Sequence, residues 1–306
     1  MPARHLAIVG ATATGKSTLA LALARRAPAF EIVSADSMQV YRGMDVGTAK
    51  PTAGERAAVP HHLVDIADPG EDFSVARFQR AAREALADIE ARGRRALLVG
   101  GTGLYVRAVV DELDLPGEWP DVRAGLESDA VTDQDVARLH ARLATVDPLA
   151  ASRMAPTNRR RVVRALEVCL GSGRPFSSFG PGLSAYGPTP FRIAGVRVDR
   201  PLLDERIAAR VDAMMAAGFL DEVRGLAGRP LSRTARQALG YGELLRHLEG
   251  EAGLEEAVAG TVRRTRSFAR RQERWFRRDP RTTWLGHEGN VLALLPGLLG
   301  DLTECA

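Results

Sequence analysis

The fold is decided by residues 6–17, Leu6-Ala-Ile-Val-Gly-Ala-Thr-Ala-Thr-Gly-Lys-Ser17. The apolar run 6–9 predicts a buried strand, and residues 10–17 satisfy the phosphate-loop pattern G-x-x-x-x-G-K-[ST]. The next residues lack Gly and Pro as far as Arg26, which predicts a helix. This context makes the motif credible, because loop amides and a helix N-terminus together attract a phosphate anion.

Strand-like and helix-like segments alternate beyond this motif. Residues 31–34, 62–66 and 96–99 are short apolar runs, and residues 75–92 have a helical pattern. Strands that are apolar on both faces and alternate with helices indicate a parallel sheet covered on both sides. We therefore predict an α/β, P-loop NTPase-like core with a parallel sheet flanked by helices.

The pattern changes after Pro116, because residues 121–172 contain only helix-period segments. A Gly/Pro/Ser-rich stretch closes this region, and residues 191–196 then predict a strand that returns to the sheet. Residues 201–226 have a helical spacing, and a long helix is expected over 254–278. We expect a core from 1–117 and 187–306 and a helical insertion domain at 118–186.

Composition narrows the class of protein. The 42 basic and 38 acidic residues give a net charge of +4, which permits a polyanionic partner without requiring one. Only Lys16 and Lys50 are lysines, and the other 40 basic residues are arginines. A bias of this size more often reflects the base composition of the genome than RNA binding.

The two cysteines, Cys169 and Cys305, exclude a disulfide framework and a CxxC metal site. The apolar runs are too short to span a bilayer, and we expect a cytoplasmic monomer without a membrane segment.

The loop predicts an anion site. Lys16 would supply a mobile cation, and the Ser17 hydroxyl a ligand for phosphate-bound Mg²⁺. The strand at 96–99 ends in Gly-Gly-Thr, where an NTP-hydrolysing enzyme usually has an Asp. The loop is therefore expected to hold a diphosphate, or to transfer a group from it. The predicted diphosphate or nucleotide-binding residues are Gly10, Ala11, Thr12, Ala13, Thr14, Gly15, Lys16 and Ser17.

A carboxylate follows the second strand. Parallel strands end at one edge of the sheet, so Asp36 is expected near the phosphate loop and would suit a general base. The same Ser-Ala-Asp-Ser sequence is also good capping or turn chemistry, so both interpretations stay open.

Arginines cluster near the C-terminus. Arg263, Arg266, Arg270, Arg274 and Arg277 step by three or four and form one stripe of the predicted helix. Clustered arginines beside aromatic residues are typical of phosphodiester binding, although a solvated surface is the alternative. A second basic cluster lies at 159–164, within the insertion.

These features together resemble the tRNA dimethylallyltransferases, also called tRNA isopentenyltransferases. The resemblance covers nearly the whole chain, and the compact bacterial type is the closer comparison. Its motifs are the phosphate loop, Ser34 to Pro51, His61 to Asp65, Gly100 to Tyr105, Arg161 to Glu167, Asp204 to Ile207, Ala238 to Glu243 and Thr265 to Phe276.

The resemblance implies transfer of a dimethylallyl group from dimethylallyl diphosphate to the exocyclic amine of the adenine 3′ of the tRNA anticodon, assisted by Mg²⁺. It implies catalytic roles for Asp36 as the base, Lys16 and Thr102. The residues expected at the tRNA anticodon stem-loop are Asp36, Ser37, Met38, Gln39, Thr102, Arg123, Arg160, Arg161, Val162, Val163, Arg164, Arg263, Arg266, Arg270 and Arg274.

Other functions fit parts of the sequence. A P-loop kinase that phosphorylates a small molecule with ATP would also have a phosphate loop and a carboxylate after the second strand. An RNA-binding, NTP-dependent switch would need the loop and the arginines but no transferase chemistry. An enzyme that prenylates free adenine nucleotides would not need the basic helix.

Overall fold

The computed structural model describes residues 4–180 and 182–303. The strands are β1 (His5–Gly10), β2 (Phe30–Ser34), β3 (His61–His62), β4 (Arg95–Gly100), β5 (Phe191–Arg197) and β6 (Thr282–Gly286). The helices are α1 (Lys16–Arg26), α2 (Ala53–Ala58), α3 (Val75–Ala91), α4 (Gly103–Val110), α5 (Pro120–Asp129), α6 (Asp133–Val146), α7 (Pro148–Ser152), α8 (Arg159–Ser172), α9 (Arg200–Ala216), α10 (Phe219–Ala227), α11 (Arg233–Arg236), α12 (Tyr241–Leu248), α13 (Leu254–Phe276) and α14 (Leu295–Thr303). Short 3₁₀ turns lie at Phe176–Ser178 and Val291–Leu294.

The six strands form one parallel sheet in the order β3-β2-β4-β1-β5-β6, which confirms the predicted fold class. Successive side chains of β1 point to opposite faces. Leu6 and Ile8 pack in one buried cluster with α1, and Ala7 and Val9 pack in another with α3, α4 and α12. Because all strands run the same way, the loops after β1, β2 and β4 meet at one edge.

The chain divides into two compact units. One comprises residues 1–112 and 188–306, and the other is Leu113–Gly187, whereas the sequence predicted an insertion at 118–186. The second unit has its own apolar core, formed by α5, α6, α7 and α8 with Leu143 and Leu166 fully buried. No helix within the described ranges is long and apolar enough to cross a membrane.

Three predictions of secondary structure need correction, and one strand was not predicted. The strand expected at 62–66 is limited to His61–His62, because Leu63 and Asp65 adopt positive φ angles of 63° and 60°. The helical spacing over 201–226 belongs to two helices, which Gly218 separates at φ 92°. The edge strand β6 was not predicted from the sequence. Helix α13 ends at Phe276 rather than at 278.

Cys169 is a buried free thiol inside the second unit, where the backbone N–H of Phe176 donates to its sulfur. Cys305 lies outside the described residues. The prediction that the chain lacks a disulfide framework therefore rests on the sequence alone.

Candidate active site

The phosphate loop joins β1 to α1 in a conformation that only certain residues allow. Gly10 has φ 143°, and a Cβ on it would lie 2.4 Å from the carbonyl oxygen of Val196 in β5. Ala13 and Gly15 also have positive φ angles. The Thr14 hydroxyl donates to the Ala11 carbonyl oxygen at 2.9 Å and closes the loop. The loop therefore curls at the N-terminus of α1, as anion binding requires.

Lys16 is buried in this loop, and its ammonium donates to the Ala11 carbonyl oxygen at 2.5 Å. Burial, together with the positive charge of Arg210, lowers its pKa to about 7, and the negative charge of Asp36 opposes both effects. A bound anion would stabilise the charged form of this lysine and raise its pKa again.

Arg210 on α9 is the main residue that the sequence interpretation missed. Burial lowers the pKa of its guanidinium while the carboxylate of Asp36 raises it, so Lys16, Asp36 and Arg210 share one electrostatic neighbourhood. Within the described part of the chain its side chain has no hydrogen-bond partner. The signal was available, because Arg210 follows Ile207 by three residues on a helix whose buried positions are Leu203, Ile207 and Val211.

The segment after β6 supports the phosphate loop from the side, which the sequence did not indicate. His287 Nε2 donates to the carbonyl oxygen of Thr14 at 3.0 Å, and Val291 packs 3.0 Å from the Cβ position of Gly15. A larger residue at position 15 would therefore displace either the loop or this segment.

Asp36 lies directly after β2, as predicted. Its Oδ1 accepts a hydrogen bond from the Met38 backbone N–H at 2.8 Å, so the turn interpretation is correct for one oxygen. Oδ2 has no hydrogen-bond partner among the described residues. The carboxylate is thus fixed by its own turn and still has an oxygen available for chemistry.

Thr102 connects the loop after β4 to the loop that carries Asp36. It occupies the N-cap position of α4, yet its side chain does not cap that helix. The hydroxyl oxygen instead accepts from the Ser37 backbone N–H at 3.1 Å, and lies 3.3 Å from the Ser37 hydroxyl. Two predicted site residues are therefore brought together by a direct contact.

Gln39 has a structural role that differs from the predicted contact with tRNA. Its Oε1 accepts from the Ser34 hydroxyl at 2.9 Å, and its Nε2 donates to the carbonyl oxygens of Thr48 and Ala49, both at 3.3 Å. The side-chain amide stabilises the fold of the segment 36–50, a role that the sequence did not indicate, and the contact of Gln39 with tRNA stays a prediction.

Glu222 on α10 anchors the far end of that segment. Its carboxylate accepts three successive backbone N–H groups, from Asp45, Val46 and Gly47, at 2.7–3.0 Å. It also accepts the hydroxyl of Tyr241 at 2.6 Å. The loop beyond Asp36 is therefore pinned to the helical layer rather than left free.

Lys50 holds the middle of the segment. Its side chain is 2% exposed, and its ammonium donates to the Tyr41 carbonyl oxygen, to Asp45 Oδ1 and to Asp65 Oδ1 at 2.7, 2.5 and 2.6 Å. Arg56 binds the other oxygen of Asp65 at 2.7 Å. One of the two lysines in an arginine-rich chain thus fills a compact buried position.

The predicted arginine stripe on α13 is only partly available. Arg263, Arg270 and Arg274 are exposed and have no hydrogen-bond partner among the described residues. Arg266 differs, because its guanidinium donates to the Asp204 carbonyl oxygen at 3.1 Å and lies 3.8 Å from the Asp204 carboxylate. Arg266 therefore joins α13 to α9, a role that the sequence did not indicate.

The basic segment of the second unit also divides into two kinds of residue. Arg160 and Arg161 are exposed at the start of α8. Val162 and Val163 are 0% and 4% exposed and their side chains belong to the apolar core, so the contact of this segment with tRNA, which stays a prediction, does not involve these two side chains.

Arg123 and Arg164 bind the same carboxylate. The buried Glu167 accepts from Arg123 Nε at 2.8 Å and from Arg164 at 2.7 Å, and these contacts lower its pKa despite its burial. Arg164 also donates to the carbonyl oxygens of Pro116 and Gly117. Both arginines therefore have an internal structural role, which the sequence did not indicate.

The donor set suits a cation held mainly through phosphate. Ser17 is exposed at the second position of α1, where its hydroxyl oxygen can bind a cation that a phosphate also holds. No group of three or more His, Cys, Asp or Glu side chains within residues 4–180 and 182–303 could hold a metal ion by itself. Mg²⁺ is typically bound by one or two protein oxygens together with phosphate and water, which this arrangement fits.

Comparisons with known proteins identify relatives over most of the chain. The model of the family described as IPP transferase matches residues 39–279, and that of isopentenyl transferase matches residues 3–61. The chain is 54% identical over 291 residues to a tRNA dimethylallyltransferase of Thermobifida fusca, covering 92% of this chain and 90% of the relative. It is 54% identical over 304 residues to the enzyme of that name from Streptomyces coelicolor, covering 98% and 96%.

Two solved structures are similar over almost the whole chain. The tRNA isopentenylpyrophosphate transferase of Bacillus halodurans has a TM-score of 0.71 at 40% identity and covers 99% of this chain and 98% of its own. A eukaryotic dimethylallyltransferase acting on tRNA has a TM-score of 0.81 at 25% identity, over 98% and 79%. With a phosphate loop, an adjacent carboxylate and full-length relatives of one kind, the chain belongs to the IPP transferase family of tRNA dimethylallyltransferases.

Proposed function

We propose that this protein transfers the dimethylallyl group of dimethylallyl diphosphate to the exocyclic amine of the adenine 3′ of the anticodon in tRNA. The observation that carries the proposal is the shared electrostatic neighbourhood of Lys16, Arg210 and Asp36. Two cations beside a phosphate loop suit a diphosphate leaving group, and a carboxylate beside them suits an amine that must lose a proton.

The diphosphate would lie in the loop formed by residues 10–17. The loop amides, Lys16 and Arg210 would stabilise the negative charge that develops when the allylic C–O bond breaks and its electron pair stays on the diphosphate. Bound Mg²⁺, with Ser17 as a ligand, would add Lewis-acid stabilisation of the same oxygens.

The amine would attack the allylic carbon while Asp36 accepts its proton. The C–N bond forms at the carbon that the diphosphate leaves, and the proton moves to Oδ2, because Oδ1 is engaged by the Met38 N–H. Thr102 and Ser37 hold the loop of Asp36 through their direct contact. Ser37 and Met38 are the neighbours through which the adenine would be recognised.

The tRNA would be bound through exposed arginines. Arg263, Arg270 and Arg274 on α13, and Arg160 and Arg161 on α8, have exposed guanidinium groups suited to phosphodiesters. A base within a stacked loop must be extruded before its amine can react. We propose that the enzyme acts as a monomer in the cytoplasm, where tRNA is available.

The test is transfer of label. The purified protein is incubated with radiolabelled dimethylallyl diphosphate, Mg²⁺ and unmodified tRNA, and the nucleosides are separated and identified by mass spectrometry. We expect the labelled group on one adenosine beside the anticodon. Label absent from RNA, together with ATP turnover on a small acceptor, would instead support the kinase.

The Asp36→Asn variant tests the base. It keeps the size of the side chain and the acceptor for the Met38 N–H, and we expect a loss of kcat of about 10²- to 10⁴-fold with folding and tRNA affinity unchanged. Unchanged turnover by Asp36→Asn would contradict the assignment of Asp36 as the base. A binding switch without transferase chemistry would instead show no transfer in either the wild type or the variant.

A further inference from the structure

Gln272 on α13 joins two loops of the site through one side chain. It is 7% exposed. Its Oε1 accepts a hydrogen bond from the Thr12 backbone N–H at 2.8 Å, and its Nε2 donates to the Gly101 carbonyl oxygen at 2.8 Å. One amide therefore holds the phosphate loop and the loop after β4 at a fixed separation.

Only a primary amide of this length satisfies both partners. A backbone N–H needs an acceptor and a carbonyl oxygen needs a donor, so the orientation of the Gln272 amide is determined by its partners. Glutamate would keep the acceptor and lose the donor, and methionine would lose both. Gly101 belongs to the same arrangement, because a Cβ there would lie 2.3 Å from Nε2 of Gln272.

The contact extends to the loop of the proposed base. Gly101 precedes Thr102, whose hydroxyl oxygen accepts from the Ser37 N–H, and Ser37 follows Asp36. The path runs from Thr12 through the Gln272 amide to Gly101, one residue along the chain to Thr102, and from the Thr102 hydroxyl to Ser37, which follows Asp36. Such a path can fix the distance between a leaving group and a base.

Helix α13 packs against the phosphate loop and α9 close to Gln272. Ala269 is fully buried in a cluster with Ala11 of the phosphate loop and with Leu203 and Ile207 of α9. Arg270 and Arg274 are two residues before and after Gln272, so they lie on the opposite side of the helix and are exposed. One helix thus carries the amide that holds the loops and, on its other side, arginines proposed for tRNA.

We propose that Gln272 is a positioning residue for the transfer, which sets the phosphate loop at the correct distance from the loop of Asp36. The inference rests on the proposed function. Gln272 does not touch the reacting atoms, and its effect is on the geometry of the groups that do.

The test compares Gln272→Met with Gln79→Met. Gln79 is also a buried glutamine, 5% exposed, whose Nε2 donates to the Ala108 carbonyl oxygen at 2.7 Å, but it joins α3 to α4 away from the loops of the site. Both variants lose buried hydrogen bonds and are expected to lower the melting temperature. Thermal unfolding, kcat, the KM values of both substrates and the Kd of inorganic pyrophosphate are measured for each.

For Gln272→Met we expect kcat/KM for dimethylallyl diphosphate to fall by about tenfold to a hundredfold, the effect of a misplacement on the order of 1 Å. The KM for tRNA should stay within about twofold of the wild type, because the exposed arginines are untouched. For Gln79→Met we expect kcat and both KM values to be unchanged. A folded Gln272→Met with wild-type kinetics, or with a loss no larger than that of Gln79→Met, would overturn the proposal.

Two further variants keep the test decisive. Gly101→Ala displaces the same amide from the other partner, and the double variant Gly101→Ala/Gln272→Met should be no slower than the slower single variant, because both act on one contact. Losses that multiply would contradict the shared route. If Gln272→Met fails to fold, Gln272→Glu takes its place in the same kinetic comparison, where a loss of the same size supports the positioning role and wild-type kinetics overturn it.

Failure of the proposed function gives a different result. In that case the wild type transfers no label, whereas failure of the positioning role leaves the wild type active and the variants equally active. Pyrophosphate affinity tests the phosphate-loop half independently of tRNA. We expect it to weaken in Gln272→Met and to be unchanged in Gln79→Met.

Discussion

Arg210 on α9 lies close enough to Lys16 on α1 that its charge adds to the effect of burial, and the pKa of Lys16 falls to about 7. Two cations that repel each other in the empty protein gain most when an anion neutralises both. Binding of a diphosphate therefore relieves the repulsion between the two side chains, and this relief contributes to the binding free energy.

Replacement of Arg210 by methionine should weaken diphosphate binding. A guanidinium that faces charged oxygens contributes about 1.5–3 kcal/mol, so kcat/KM for dimethylallyl diphosphate should fall by about tenfold to more than a hundredfold. The KM for tRNA should not change. Arg224→Met is the matched control, because Arg224 pairs with Asp221 at the surface of α10. Equal kinetics for the two variants would remove Arg210 from the site.

The affinity for dimethylallyl diphosphate should depend on pH through Lys16. In the free protein its pKa is about 7, and the bound diphosphate raises it by its negative charge. Above pH 7 binding must therefore take up a proton at Lys16, and the affinity should fall by up to tenfold per pH unit. Titrations between pH 6 and pH 9 on the wild type and on Lys16→Met isolate this contribution. Parallel pH curves for the two proteins would show that Lys16 does not titrate there.

The arginines of α13 should separate into two classes. Arg270→Gln and Arg274→Gln should each reduce the salt dependence of tRNA binding by about one unit of slope, because each removes one phosphate contact. Arg266→Gln should leave that slope unchanged and lower the stability instead, since Arg266 binds Asp204. Binding isotherms at several salt concentrations, together with thermal unfolding, check both statements. A change of slope in Arg266→Gln would return Arg266 to the tRNA-binding surface.

Lys50→Arg should destabilise the protein although the charge is kept. The ammonium is buried among three oxygen acceptors, and the larger planar guanidinium overfills this position, at a cost of about 1–3 kcal/mol in the free energy of unfolding. Arg56→Lys is the control, because Arg56 is partly exposed and binds the same Asp65. We expect a change below about 0.5 kcal/mol there. Urea unfolding measures both, and equal values would mean that the position is not tightly packed.

The parts of the site that follow from local sequence could be predicted. The phosphate loop is specified by its own glycines, Lys16 and Ser17, and Asp36 by its position at the end of a strand in a parallel sheet. These placements need no knowledge of distant contacts.

The parts that depend on packing between remote segments could not be predicted. Arg210, Glu222 and Gln272 acquire their roles only when α9, α10 and α13 lie against the loops at the edge of the sheet. The burial of Val163 was not predicted because the neighbouring arginines made its segment look exposed, whereas its helical position places its side chain in the core. The strand expected at 62–66 ends early, and the Asp65 carboxylate beyond it accepts hydrogen bonds from the remote Lys50 and Arg56.

The unit Leu113–Gly187 leaves and re-enters the core between Val110 and Thr189, and the Thr189 hydroxyl donates to the Val110 carbonyl oxygen at 2.7 Å. The two ends of the excursion are therefore joined at its base, and each unit buries its own apolar residues. A chain in which a short glycine linker replaces residues 113–187 should keep the sheet and bind pyrophosphate. The insertion would then be exchangeable between relatives while the sheet and the phosphate loop stay unchanged.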